Sequence, residues 1–320
     1  MKVAVIGVGG IGKGHVQNLS GVDEADLVAV ADIDDEKSRR IRDEFEVKNS
    51  YTDYDVMMDR EDLDAVFVCT PPFAHLGPVR SAADRDIAVF IEKPLDSKIK
   101  RAKEIVEVCE DSKIVNQMGY HWRFDSGRVA AREILLKEGG PVGMVEGRWW
   151  GGVYRVPWWT KRDLSGGQIT EQTTHIFDQA RWLAGEVKSL QALMATRMNF
   201  DMEDYDIEDV SAVLLEFESG AIGLVSSTNA SVRYEVGVKV VAKNLKYEDD
   251  SRRIKVSWKD REQDFEGEGS PYVAEEKAFL SSVESGEPSE VNVSEGLRSV
   301  ELSLGAMKAS QQRSRVDLPL

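Results

Sequence analysis

Six residues near the start, Gly7-Val8-Gly9-Gly10-Ile11-Gly12, follow the apolar run Val3–Ile6 directly and lead into a helical pattern carrying Val16 and Leu19. A buried strand, a glycine loop and a helix in immediate succession leave few possible folds. Gly7 permits a tight turn, Gly9 lets backbone approach a pyrophosphate, and Gly12 lets the helix pack closely on the strand. Gly10 and Ile11 complete the loop at the helix N-terminus, where backbone N–H groups and the helix dipole favour phosphate. Asp32 stands 20 residues beyond Gly12, at the end of the second apolar run. A carboxylate there can accept the ribose 2′-hydroxyl of a dinucleotide and repels a 2′-phosphate, which favours NAD over NADP. Arg39 and Arg40 lie further on and soften that preference.

The runs Lys2–Ile6, Leu27–Ala31, Ala65–Cys69, Ala88–Ile91 and Lys113–Gln117 are apolar, rich in Val and Ile, and too short for helices. They read as strands buried on both faces of a parallel sheet. Between them, Ile99, Ala102, Ile105, Val106 and Cys109 recur at helical spacing, so the expected fold is a doubly wound α/β domain. Later the period becomes two. Val236, Val238 and Val240 alternate with Glu235, Gly237 and Lys239, and Ile254, Val256 and Trp258 with Arg253, Lys255 and Ser257. One apolar and one polar face indicate a mostly antiparallel sheet. Ser219-Gly220 reads as its hairpin turn, and helices are expected near 172–184, 272–284 and 295–311. The change of period divides the chain into a nucleotide-binding domain, 1–120, and a substrate-binding and assembly domain, 121–320.

With 41 basic and 57 acidic side chains the formal charge is −16, which disfavours nucleic acid and anionic membrane surfaces as partners. No run reaches the ~18 apolar residues of a membrane span. Cys69 and Cys109 lie in apolar surroundings and build neither a disulfide framework nor a CxxC site, so a reducing, cytoplasmic location is expected. No Cys/His cluster has metal-ligand spacing, and no metal is expected.

Loops at the carboxyl ends of parallel strands line the ligand crevice. Thr70-Pro71-Pro72 with His75, and Glu92-Lys93-Pro94, occupy such positions, so Thr70, Pro71, Pro72, His75, Glu92 and Lys93 join the cofactor-binding candidates. Lys93 would carry its ammonium close to the nicotinamide. On one continuous helix at 100° per residue, Glu171, His175, Asp178 and Trp182 fall within about 60° of one another, with Ile176, Ala180 and Leu183 opposite. Arg123 follows the last parallel strand, and Trp159 belongs to a dense group with Trp149, Trp150 and Trp158. Arg123, Trp159 and Asp178 are substrate-binding candidates.

Taken together, these motifs resemble the glucose-fructose oxidoreductase / inositol dehydrogenase / rhizopine-catabolism (Gfo/Idh/MocA) family. Its members combine an N-terminal GxGxxG, an acid after the second strand, a TPP-like turn, an EKP motif and a later GGGxxxDxxxHxxD motif. Here that last motif is matched by Ser165-Gly166-Gly167, Glu171, His175 and Asp178. Ser165 replaces the first glycine and Glu171 stands where Asp is commoner, so the carboxylate chemistry is kept with one more methylene of reach.

The resemblance implies hydride transfer between nicotinamide and a secondary hydroxyl of a sugar, cyclitol or sugar derivative. It makes Lys93 and His175 catalytic, with Glu171 orienting His175. Either Lys93 or His175 can move the proton, and Lys93 also offsets charge on the reacting oxygen. All three also belong to the substrate-binding set. Two other readings share the fold: an NAD-using glycoside hydrolase working by oxidation, elimination and reduction, and a non-catalytic sensor of dinucleotide or sugar. A sheet with one uncovered face, with the resemblance, implies a homodimer or homotetramer.

Overall fold

A computed structural model describes all 320 residues, which form two compact units. The first comprises Met1–His121 together with Gly269–Leu297, the second Trp122–Glu268 together with Arg298–Leu320. The boundary falls one residue past the expected 120, but 121–320 is not a single block. The stretch Gly269–Leu297 returns to the first unit because its helix buries Phe279 and Leu280 among Val3, Val5, Phe67 and Phe90.

In the first unit the chain runs β1 (Lys2–Ile6), α1 (Gly10–Leu19), β2 (Asp26–Ala31), α2 (Asp35–Glu44), β3 (Asn49–Tyr51), α3 (Tyr54–Arg60), β4 (Ala65–Val68), α4 (Leu76–Ala83), β5 (Ala88–Ile91), α5 (Ile99–Ser112) and β6 (Asn116–Met118). The six strands form one parallel sheet in the order β3-β2-β1-β4-β5-β6. Strands β4 and β5 are buried along their whole length, and so are Ala102, Ile105, Val106 and Cys109 on α5. The last strand starts later than expected because Lys113 takes a left-handed conformation, φ 59°, where it ends α5. Strand β3, Asn-Ser-Tyr at the sheet edge, carries no apolar run and was not anticipated. The strand order reverses between β1 and β4, the place where open α/β sheets bind ligands at their carboxyl ends.

The second unit contains α6 (Ser126–Glu138), β7 (Val142–Trp150), α7 (Arg162–Ser165), α8 (Gln168–Glu171), α9 (Thr174–Ala184), β8 (Val187–Ala195), β9 (Val210–Phe217), β10 (Ile222–Thr228), β11 (Glu235–Ala242), β12 (Lys246–Asp249), β13 (Ile254–Ser257) and β14 (Glu262–Phe265). Then α10 (Pro271–Ser285) belongs to the first unit, α11 (Val293–Gln312) passes from one unit to the other at Leu297, and β15 (Val316–Asp317) ends the chain. Nine strands lie in the order β14-β13-β12-β11-β7-β10-β9-β8-β15. Every pairing is antiparallel except β7 with β10. The turn at Ser219-Gly220, with Gly220 at φ 85°, joins β9 to β10 as expected.

The inward-facing Val145, Val213, Leu215, Val225, Val238 and Val240 share a core with Ile176, Phe177, Ala180 and Leu183 of α9. On the opposite face of the sheet, Met144, Leu193, Leu214, Ile222 and Val241 are exposed. No helix is long and apolar enough to cross a membrane.

Candidate functional site

The glycine loop has the shape that its spacing predicts. Gly7 adopts φ 85° and its N–H donates to the Ala31 carbonyl at 2.7 Å. A Cβ on Gly12 would lie 1.9 Å from the Gly7 carbonyl oxygen, a contact no side chain tolerates. Gly9 and Gly10 instead face open space, with nothing within 4 Å of an added Cβ, and no side chain caps α1 at Gly9. This uncapped helix start beside an open cradle suits a pyrophosphate, with Ile11 partly exposed next to it.

Asp32 lies at the end of β2 with both carboxylate oxygens engaged: Oδ2 accepts the Val8 N–H and Oδ1 the Asp34 N–H, each at 3.0 Å. Lys37 reaches Asp32 Oδ2 at 3.0 Å. Arg39, expected to bear on cofactor choice, pairs with Asp35 at 2.9 Å instead. Lys37 is therefore the cation at this carboxylate, and it was missed because the spacing Asp32 to Lys37 depends on how α2 begins. Further along the strand ends, the Thr70 hydroxyl is buried with no protein hydrogen-bond partner. The open cradle, the Asp32 carboxylate and this orphaned hydroxyl all fit a dinucleotide.

Other expected cofactor contacts turn inward. His75 is fully buried, with Nδ1 3.0 Å from the Leu95 carbonyl and Nε2 2.8 Å from that of Thr70. It ties the two loops together. Burial lowers its proton affinity despite those carbonyls. Pro71 is half-buried, and Pro72, which is buried, opens a single 3-10 turn. Glu92, also buried, directs Oε1 at His15 Nε2, 2.9 Å away, and accepts the Lys93 N–H on Oε2 at 3.1 Å. Its carboxylate thus faces α1 and not the ligand side. Lys93 itself is half-buried at the end of β5, on a cis peptide with Pro94.

Behind Glu92 lies a charge cluster that the sequence did not reveal. His15 Nδ1 lies 2.6 Å from Glu276 Oε1, so both ring nitrogens face carboxylates, and Asn18 donates to the same Glu276 oxygen at 3.1 Å. Burial alone would strip the proton from His15, but the hydrogen bonds and charges of Glu276 and Glu92 outweigh it and carry the pKa up to about 9. Burial likewise opposes ionisation of Glu92, yet the His15 contact holds it below the usual carboxylate range. Glu275, fully buried with neither oxygen hydrogen-bonded, is pushed well above that range by burial and by its acidic neighbours. His15, Glu92 and Glu275 each place a ligand atom within 4.8 Å of the others, a spacing a metal could use. Both His15 nitrogens are already committed to carboxylates, so a proton is the occupant that the cluster accommodates. No motif points to this cluster, because its members come from α1, β5 and α10.

In the second unit the single helix expected to carry Glu171 and His175 is broken. Glu171 ends α8 and His175 lies in the first turn of α9, with Gln172 and Thr173 between the helices. An i, i+4 argument therefore does not apply to that pair. Both residues are buried, and His175 stacks on Trp149 (centroids 5.5 Å apart, planes at 17°) and on Trp122 (5.4 Å, 30°). The aromatic contacts set the ring's orientation. Ile176, Ala180 and Leu183 enter the core as expected, but α9 is buried from Thr174 to Arg181 and has no open polar face.

Asp178 and Arg123 find each other. Arg123 donates from Nε to Asp178 Oδ2 at 3.0 Å and from Nη2 to Oδ1 at 2.7 Å, and the Ser299 hydroxyl adds a longer contact. Asp178 is 1% exposed, so its charge is offset within the protein. Trp159 is buried beside Tyr154 and its carbonyl accepts the Ser165 hydroxyl. Close to His175 in the chain, the buried Gln179 amide and Thr173 hydroxyl have no protein hydrogen-bond partner.

Residues 1–120 match the oxidoreductase family with an NAD-binding Rossmann fold, and residues 129–247 match the GFO/IDH/MocA C-terminal domain. The chain is 28% identical to myo-inositol 2-dehydrogenase of Thermotoga maritima over 99% of its own length and 98% of that protein's. It is 31% identical to inositol 2-dehydrogenase of Rhizobium meliloti over 75% and 72% of the two lengths. A crystal structure of levoglucosan dehydrogenase with NADH and levoglucosan superposes with a TM-score of 0.91 at 19% identity, covering all of both chains. Both units thus carry the sequence and fold of one lineage, and the chain is an NAD-binding oxidoreductase of the Gfo/Idh/MocA family.

Proposed function

We propose that the protein oxidises or reduces a secondary hydroxyl of a sugar or cyclitol with NAD as hydride partner. The observation that carries this reading is the crevice end of the parallel sheet, where Lys93 lies two residues past the end of β5 and the glycine loop and Asp32 fit a dinucleotide. The named relatives that span most of this chain act on inositols, which favours turnover over the hydrolase and sensor alternatives. The nicotinamide, when bound, supplies the hydride chemistry.

The protein's part is to hold the reacting carbon and manage one proton. Lys93 donates to the reacting oxygen and offsets the charge that develops there, an interaction strengthened where water is excluded. His175, kept in orientation by Trp122 and Trp149, suits general base work near neutral pH. Glu171 lies four residues before it, at the end of α8. Asp178 and Arg123 act as a pair that stiffens the start of α9.

The exposed apolar residues Leu193, Leu214 and Ile222 of the open sheet face fit assembly into a dimer or tetramer. Two buried free cysteines fit a reducing, cytoplasmic setting.

A panel of cyclitols and sugars, followed by absorbance of reduced nicotinamide, tests the activity. Net reduction of NAD by at least one of them is expected. Lys93→Met should abolish it while NAD binding stays within a few-fold of wild type; simultaneous loss of binding would mean that Lys93 only supports the fold. Glycoside cleavage without net reduced cofactor would replace this reading with the hydrolase.

A further inference from the structure

His15 and Glu276 take no part in the chemistry proposed above, yet they form a fully buried ionisable pair in the first unit. His15 bridges Glu276 Oε1 at 2.6 Å and Glu92 Oε1 at 2.9 Å, and its side chain is wholly buried. Glu92 passes the constraint on, because its other oxygen accepts the Lys93 N–H at 3.1 Å. Space behind it is closed: a Cβ on Gly119 would lie 3.0 Å from Glu92 Oε1. Around the imidazole stand Phe67 and Phe90, with ring centroids 5.7 and 5.2 Å away, and Tyr272 at 6.4 Å. In such a setting a broken pair leaves a charge without compensation, so the geometry is strongly enforced.

We propose that His15, clamped by Glu276, is a positioning residue for Lys93, acting through Glu92 on the backbone from which the Lys93 ammonium reaches the substrate. The proposal rests on the catalytic reading of Lys93. Each His15 nitrogen faces one of the two carboxylates, whose hydrogen bonds and charges raise the His15 pKa to about 9 against its burial, and burial with the acidic neighbours pushes the Glu275 carboxyl well above the usual range.

The test compares His15→Gln, Glu276→Gln and Lys93→Met in the full chain, reading kcat, substrate KM, NAD binding by fluorescence titration, and thermal unfolding. A misplacement near 1 Å can cost about 100-fold in rate. His15→Gln should therefore lower kcat by roughly 10- to 100-fold, with NAD affinity changed less than about threefold, since the glycine loop and Asp32 do not touch the cluster. Glu276→Gln keeps the shape and an acceptor, and should show the same selective loss in kcat at smaller size; it keeps the test open if His15→Gln does not fold.

A cycle in the Lys93→Arg background completes the test. If His15 acts through Lys93, His15→Gln should cost much less there than in the wild type. An unchanged kcat in His15→Gln and Glu276→Gln, an equal and additive loss in the cycle, or a parallel loss of NAD affinity overturns the positioning role while Lys93 stays catalytic. Wild-type turnover by Lys93→Met overturns the reading of Lys93 itself, and the positioning role with it.

Discussion

Cofactor choice turns on one carboxylate, and its size can be worked out from the end of β2. Asp32 is nearly buried, and it receives the Val8 and Asp34 N–H groups and Lys37 Nζ, each near 3.0 Å. Asp32→Asn keeps the shape and one acceptor but removes the charge. A unit of 2′-phosphate charge placed about 4 Å away meets a repulsion of about 1 kcal/mol in water and about 4 kcal/mol at the screening typical of a protein surface. Removing that repulsion should raise the ratio of kcat/KM for NADP over NAD by between about 5-fold and 1000-fold. Lys37, freed from its partner, then attracts the phosphate, so adding Lys37→Met to Asp32→Asn should take back part of the gain. Initial rates with both cofactors at low salt measure all three variants. A ratio that stays within about threefold of wild type in Asp32→Asn would refute the electrostatic argument and leave only steric exclusion.

Arg123→Met leaves the Asp178 carboxylate buried with only Ser299 beside it, and should cost about 3 to 5 kcal/mol in urea unfolding; the double variant with Asp178→Asn should recover part of this, and purely additive losses would count against the pair. For His15, folding raises the pKa from 6.5 to about 9, so its contribution is whole below pH ~6.5 and fades as pH climbs through ~9, about 3 kcal/mol in all. The stability difference between wild type and His15→Gln should shrink by that order from pH 6 to pH 9.5, and a flat difference sinks the assignment. Leu214→Glu on the open sheet face, where Leu214 is 57% exposed, should lower the mass measured by light scattering if copies pair there, without reducing thermal stability of the monomer.

Period and local motif made most of the fold readable. Glycine loop, buried strands and the alternating Val236, Val238 and Val240 each advertise themselves over a handful of residues, because backbone geometry dictates the pattern. What stayed hidden depends on partners distant in the chain. His15 stands in no motif, and Glu92 and Glu276 meet it only after folding. Asp178 looked like a substrate ligand because its bond to Arg123 crosses from α9 to the turn before α6. The break between α8 and α9 escaped for another reason: Gln172 and Thr173 carry no glycine or proline to mark an interruption. The glycine loop, Asp32 and Lys93 stand in local motifs that single them out as candidates. Which of the remaining polar groups face inward was not, since Glu92 and His75 turn toward helix and loop through contacts that no spacing encodes.

The return of Gly269–Leu297 to the first unit also bears on how the chain matures on the ribosome. His15 is joined to Glu276 across 261 positions, and loop closure over such a span is slow. The glycine loop and five of the six helices of this unit emerge early, yet the acid that neutralises His15 arrives only when most of the polypeptide has been made. A nascent cofactor fold must therefore wait, with His15 and Glu92 uncovered, for α10. A shortened product ending near residue 121 would expose the same surface permanently, which makes it a substrate for chaperones and proteases rather than a free-standing nucleotide-binding module.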